Sequence, residues 1–464
     1  MIPSVDFETA LALSRFGLGA GNAGTSAVTG DIRARLHDEV SRGPANITGE
    51  EPLPATPYLL SELDDLVTQE RRQRALTAEP AASPSPSPRM VDAKLISQRF
   101  DAEMEARYNG AYADADIGFD ERLVMFWTNH FAIATSKSRA VRITAGAYER
   151  EAIRPNIFGR FTDLVLAVET HPAMLTFLDN ASSIGPDSRV GEIKGRGLNE
   201  NLAREIMELH ILGVDSGYSQ ADVTSFANAL TGWTVNRRQN DPDVPYGDFK
   251  FAASSHQPGD QVILGKAYDN AGFFQAADIL TDLCQRPAAA RFVATKMARY
   301  FVADTPPQTL VDRLTQTFVD TDGDLSEVSH ALIDSDEAWA PDAVKIRSPQ
   351  EWLIATLRAT GLTPSPVRIA TTLNMMGQPQ WNPSGPNGFS DQFTAWATPE
   401  GLTARMNIAN DIAAEAPEDT DPRDFAERIL GPRLSDATRA AIAHAESGPQ
   451  GVSLVFLSPE FLRR

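Results

Sequence analysis

The sequence predicts an all-α protein, a multi-helix globular bundle with a small β-hairpin excursion around residues 233–265. Three observations predict it. Apolar residues recur at three- and four-residue spacing through most of the chain, the period of a helix with one buried face. The strand–helix alternation of a parallel sheet is missing, as are the many short strands of a sandwich or barrel. Hydrophobic residues make up 42% of the 464 and charged residues 22%, enough apolar surface for a sizeable core.

Taken in order, residues 6–17, 28–40 and 57–77 carry helical spacing, and 1–78 is expected to form an N-terminal helical arm. Residues 79–91 contain EPAASPSPSPR, where alternating Ser and Pro prevent a packed helix and predict an exposed loop. A helical core with the β insertion is expected over 92–345, with helices at 92–112, 119–131, 139–152, 157–169, 199–212 and 220–231. Between them, the Gly-rich, polar stretch 181–197 is expected to be a long surface loop. WTVNRR, YGDFKFAAS and QVILG alternate or run apolar between Pro and Gly and predict the short strands. Helices resume at 271–285, 288–303, 308–319 and 325–335. The C-terminal region, 346–464, holds a helix at 347–360, an aromatic loop at 377–396, and helices at 400–414, 422–430 and 435–445.

The formal net charge of -20 repels phosphate backbones and anionic lipids, so no nucleic-acid partner is expected. The lone Cys284 sits in an apolar helical pattern and is expected to be a buried, inert thiol. No stretch has the length of a membrane span, and the N-terminus lacks the basic start and apolar core of a signal peptide, which predicts a cytoplasmic location.

The most legible segment is GRGLNENLAREIMELHILGVDSGYSQADVTSFANALTGW, residues 195–233. Asn199 is placed to cap a helix that Gly213 stops, and Ser219 with Asp222 forms a capping box for the next helix. On a wheel of about 100° per residue, Leu198, Leu202, Ile206 and Leu209 share a face, while Asn201, Arg204, Glu205 and Glu208 gather in one polar sector. His210 points roughly 160° away from Glu208 on that wheel. A polar stripe on a largely apolar helix must be paired. It either begins an acid–base or metal site completed by other helices, or forms an ion-pair network that fixes packing. His130 in FWTNHF, three residues from Trp127, is the candidate imidazole for the first case.

Within this segment, NENLAREIMELHILGVDSGYSQADVTSFANALTGW, residues 199–233, is similar to the signature of the bacterial domain of unknown function 1800 family. Further matching pieces are RFGLG near the start, FWTNHF at 126–131, HPAMLTFLDN at 171–180, SSHQPGDQVILGK at 254–266, IRSPQEW at 346–352 and MGQPQWNPSGPNGF at 376–389. The resemblance covers nearly the whole chain and implies a helical protein with no settled activity. It also implies kinship with proteins that are often exported and often encoded beside a second family of phosphatase- or sulfatase-like fold. The family pattern assigns no catalytic residues.

Glu205, Glu208, His130 and Arg204 are the catalytic candidates on chemical grounds. Asn201, Trp127, Asp222, Trp233, His256 and Trp381 are the binding candidates, the last in a Pro- and Gly-rich stretch suited either to ligand recognition or to pinning a loop. Asp179 and Asn180 could line a pocket or end a turn, and Glu169 and His171 flank a helix junction at Pro172. Asp320, Asp322 and Asp324 miss the calcium-loop pattern at its Gly and Glu positions, which leaves Asp324 as a helix cap. Two functions follow. One is an enzyme with a buried Glu/His/Arg polar or metal site doing hydrolytic or metal-assisted chemistry. The other is a non-catalytic binding or assembly partner of another protein, such as one of the phosphatase/sulfatase-like kind. Metal, cofactor and oligomeric state stay open.

Overall fold

The computed structural model describes residues 5–49, 51–76, 88–194, 197–239, 241–342, 344–417 and 419–464. Helices dominate it from Val5–Arg15 to Pro459–Leu462. Their ends follow local chemistry. Ser348 and Glu351 form a reciprocal capping box at the start of Pro349–Thr360, and Gly361 ends that helix in the left-handed region at φ 72°. Asp324 caps Leu325–Ile333 by accepting from the Ser326 and Glu327 amides. Of the predicted Ser/Pro loop, residues 79–87 lie outside the described residues, and Pro88 already begins the helix Pro88–Glu105. The stretch 181–197 is less irregular than its composition suggests. It holds the helix Arg189–Lys194, where the Ser188 hydroxyl accepts from the Gly191 amide.

The β content is two separate antiparallel pairs among the described residues. Trp233–Val235 pairs with Phe249–Phe251, and Gln261–Ile263 pairs with Lys266–Tyr268, so the excursion runs three residues past its expected end. The second pair turns through Leu264 and Gly265, both with positive φ (50° and 81°). A left-handed leucine is strained. Its amide is held by the Asp222 carboxylate at 2.6 Å, and that bond compensates the turn.

One hydrophobic cluster runs from Leu11 to Phe461. Phe16, just past the first helix, packs against Phe119, Phe301 and Trp339 and ties that end of the helix to distant segments of the chain. Buried arginines add a second kind of tie, because a guanidinium can satisfy several otherwise orphaned carbonyls at once. Arg15 donates to the carbonyls of Ala338, Ala340 and Asp342. Arg358 donates to those of Gly19, Tyr112 and Ala115. Arg122 and Arg464 converge on Glu351 at 2.8 and 3.1 Å. Those two guanidinium groups overcome the burial penalty and hold the Glu351 carboxyl down at about 2, against an ordinary 4.5. A depressed carboxyl contributes stability above its unfolded value and loses it as pH falls toward the folded one. Acid titration followed by circular dichroism is therefore expected to show a loss of stability between those two values. Glu351→Gln should flatten the slope there and lower stability at neutral pH.

A larger buried network lies between Pro88–Glu105 and the helix Arg139–Tyr148, each of which runs into a π-helical turn, Ala106–Ala111 and Glu149–Ile153. Arg107 binds Glu149 at 2.8 Å and Glu103 at 2.7 Å. Arg150 also binds Glu103, and Arg154 grips Glu121 through two bonds of 2.6 and 2.8 Å. The wider turn of a π-segment re-aims side chains relative to an α-helix, and here both such turns begin beside or at a member of the charge network.

Candidate functional site

The helix of the signature segment begins at Asn201, whose amide is capped by the Asn199 side chain at 2.9 Å. It stays α-helical only to Glu205 and then widens into the π-turn Ile206–Ile211. The polar sector divides accordingly. Arg204 bonds Glu200 and Gln220 and lies 3.6 Å from Glu208, while Thr224 also donates to Glu200. This half-exposed network fastens the first helix of the segment to the second, Gln220–Leu230.

Glu205 is different. It is half-buried, and its carboxyl has no hydrogen-bond or ion-pair partner among the described residues. It lines an open groove of about 900 Å³ together with Asn201, Lys137, Asp179, Phe177 and the segment Asn382–Ser390. Lys137 and Asp179 face each other at 2.6 Å, and Asp179 sits in the left-handed region at φ 62°, a strained setting for a non-glycine residue. Partial burial pushes the Glu205 carboxyl up, with Glu208 adding to the effect and His210 and Arg204 opposing it. A raised carboxyl costs stability once pH rises past the usual carboxylate range. Glu205→Gln is expected to leave stability unchanged near pH ~4 and to raise it at pH ~7. The gain is at most about 1 kcal/mol, because solvent screens a half-exposed group. Thermal melts at the two pH values measure the difference.

The groove wall formed by residues 377–390 is pinned from behind. Asn129 donates to the Phe389 carbonyl at 2.8 Å and accepts from its amide at 2.7 Å, imitating a strand partner. Thr135 donates its amide to the Trp381 carbonyl, and Ser136 to the Asn382 side chain. Trp381, itself at φ 48°, is buried with its indole donating to Glu149 at 3.3 Å and the Arg107 guanidinium 4.8 Å from its ring centre. Behind the same wall lies a chamber of about 70 Å³ with mixed apolar and polar walls. Thr128, Asn129, Ser348, Gln350, Glu351 and Gln380 line it, and it shares Pro379, Pro383, Phe389 and Ser390 with the groove. Four of the segments that carry the resemblance, at 126–131, 171–180, 199–233 and 376–389, thus meet on the two sides of one loop, and 346–352 lines the chamber.

The other predicted site residues lie elsewhere. His130 does not face Glu205 or Glu208. Its Nε2 meets the His210 carbonyl at 2.8 Å inside a box of Phe126, Trp127, Phe131 and Phe292, and burial holds it well below the ordinary histidine value, so it is neutral and donates. His130 turns to that carbonyl because it lies at the end of the π-turn Ile206–Ile211, where helix carbonyls run out of amide partners. Trp127 and Trp233 are fully buried core residues. Asp222 is used on both oxygens, by Ser219 and by Leu264. His256 spans the Thr231 carbonyl and the Asn270 side chain. Asp222→Ala should therefore cost about 1 kcal/mol or more of stability through the lost cap, with no effect on ligand binding.

Composition and periodicity missed the fully buried pair of Glu169 and His210, 2.7 Å apart, and the Arg107–Glu149 network. Glu351 carried a signal, its position three residues after Ser348. Cys284 is buried and its thiol pushed up by that burial, consistent with an inert role. Among the described residues no three His, Cys, Asp or Glu side chains converge as a metal ligand set. No helix among them is long and apolar enough to cross a membrane. A family model described as a protein of unknown function (DUF1800) matches residues 11–463. No curated protein and no solved structure matches the chain.

Proposed function

The chain belongs to the DUF1800 family of proteins of unknown function, and we propose from its geometry that it is a binding protein whose groove takes an extended, cation-bearing segment of a partner protein. The observation that carries this reading is Glu205, a half-buried carboxyl with no partner among the described residues at the wall of a groove of about 900 Å³. That volume sits at the upper end of ordinary ligand sites, about 300–1,000 Å³, and suits an extended guest over a compact one. Side-chain amides of Asn201, Asn382 and Asn387 can satisfy a peptide backbone, and Phe177 and Phe389 can pack its apolar side chains. The net charge of -20 likewise favours a positively charged partner.

Fluorescence polarisation with labelled octapeptides that differ only in a central Lys, Gln or Glu tests it. The Lys peptides should bind at least about tenfold more tightly than the Glu peptides, and Glu205→Gln should remove the difference. Binding that ignores the central charge would sink the proposal. The upward shift of Glu205 favours a second reading, in which the same carboxyl gives a proton to the leaving amine of a bound peptide as water attacks the carbonyl carbon. Cleavage of a bound peptide that Glu205→Gln abolishes while binding persists would select that version.

A further inference from the structure

The chamber behind the 377–390 wall has a chemistry of its own. Its acidic walls are already matched. Glu149 meets Arg107 at 2.8 Å and Arg154 at 3.5 Å, and Glu351 meets Arg122 and Arg464. Asp391 lies in the fields of Lys296 and Lys345. A charged guest would lose its hydration and find no free counter-ion, which makes its entry costly.

Neutral hydrogen-bonding groups are what the walls leave unused. The Thr128 hydroxyl has no partner among the described residues, and Tyr112 and Tyr300 line the chamber with it. Burial raises the Tyr112 hydroxyl well above its ordinary value and the Tyr300 hydroxyl to about 12, so both keep their protons and can donate. The Gln350 amide donates to Gln380 at 3.2 Å beside them, leaving further amide capacity on the wall. A volume of about 70 Å³ holds about five waters, or one guest of similar heavy-atom count.

We infer that this chamber is a second binding site, for a small uncharged ligand that carries an amide or hydroxyl group, and that it is distinct from the groove. Acetamide, acetate and acetamidinium share one shape and differ in charge, so they test the inference on the full chain. Saturation-transfer NMR titrations should show saturable binding of acetamide, with both ions weaker by about tenfold or more. Thr128→Val, which keeps the shape and removes the hydroxyl, should weaken acetamide by about fivefold. Ala132→Leu, which fills the chamber with apolar atoms, should abolish binding and serves if the first variant does not fold. Equal binding of the three isosteres, no saturable binding, or water alone in the chamber of acetamide-soaked crystals would overturn it. None of these outcomes depends on whether peptides occupy the groove.

Discussion

Replacing Glu149 by leucine is expected to destabilise the protein by about 3–5 kcal/mol, measured by urea denaturation. The carboxylate is fully enclosed and receives Arg107 on one oxygen and the Trp381 indole on the other. Removing it strands the Arg107 guanidinium, which no solvent reaches, with only Glu103 and two backbone carbonyls as partners. The loss comes from that uncompensated charge more than from the bond itself. The exposed pair Arg368–Glu415 supplies the control, and Glu415→Ala should change stability by less than about 1 kcal/mol. Because Glu149 also holds Trp381, the variant should loosen the groove wall, and tryptophan emission should shift to the red before global unfolding. An equally small effect from both substitutions would mean that the buried network does not fix the fold.

Gly388→Ala is expected to detach the groove wall. Gly388 has φ 71°, a region where alanine is strained by about 1–3 kcal/mol. An added Cβ would also collide with the Asn129 carbonyl oxygen and press on its side chain, the group that clamps Phe389. The loop can relieve the clash only by leaving Asn129, which gives up both of those hydrogen bonds. Limited proteolysis should then cut within residues 382–390 at a rate at least about tenfold above the parent, while the helical signal changes little. Peptide binding to the groove should fall with it. Unchanged proteolysis would show that the wall does not depend on the Asn129 clamp.

Legibility in the sequence followed the range of the forces involved. Helices, caps and the turn after the signature helix were readable because each depends on neighbours within a turn or two, as with Ser219–Asp222 and Ser348–Glu351. Asn201, Arg204, Glu205 and Glu208 were singled out as a polar stripe that must be paired, whereas the structure pairs Arg204 with Glu200 and Glu208 and leaves Glu205 half-exposed without a partner among the described residues. Their division into a network and a free carboxyl was not readable, because the π-turn at Ile206–Ile211 changes the angular step after Glu205. Trp381 could be placed in a loop, but whether it faced a ligand or the core depended on Glu149 and Arg107, more than two hundred residues earlier.

The sequence alone determined an all-helical chain with a small β excursion, its family, and the short segments on which its chemistry rests, since periodicity, capping and motif order are written locally. Only the tertiary structure decided which charges are buried together and which segments share the groove and the chamber. Desolvation, which makes Arg107–Glu149 costly to break and leaves Glu205 unmatched at a surface, is a property of the packed whole and has no signature in any window of the sequence.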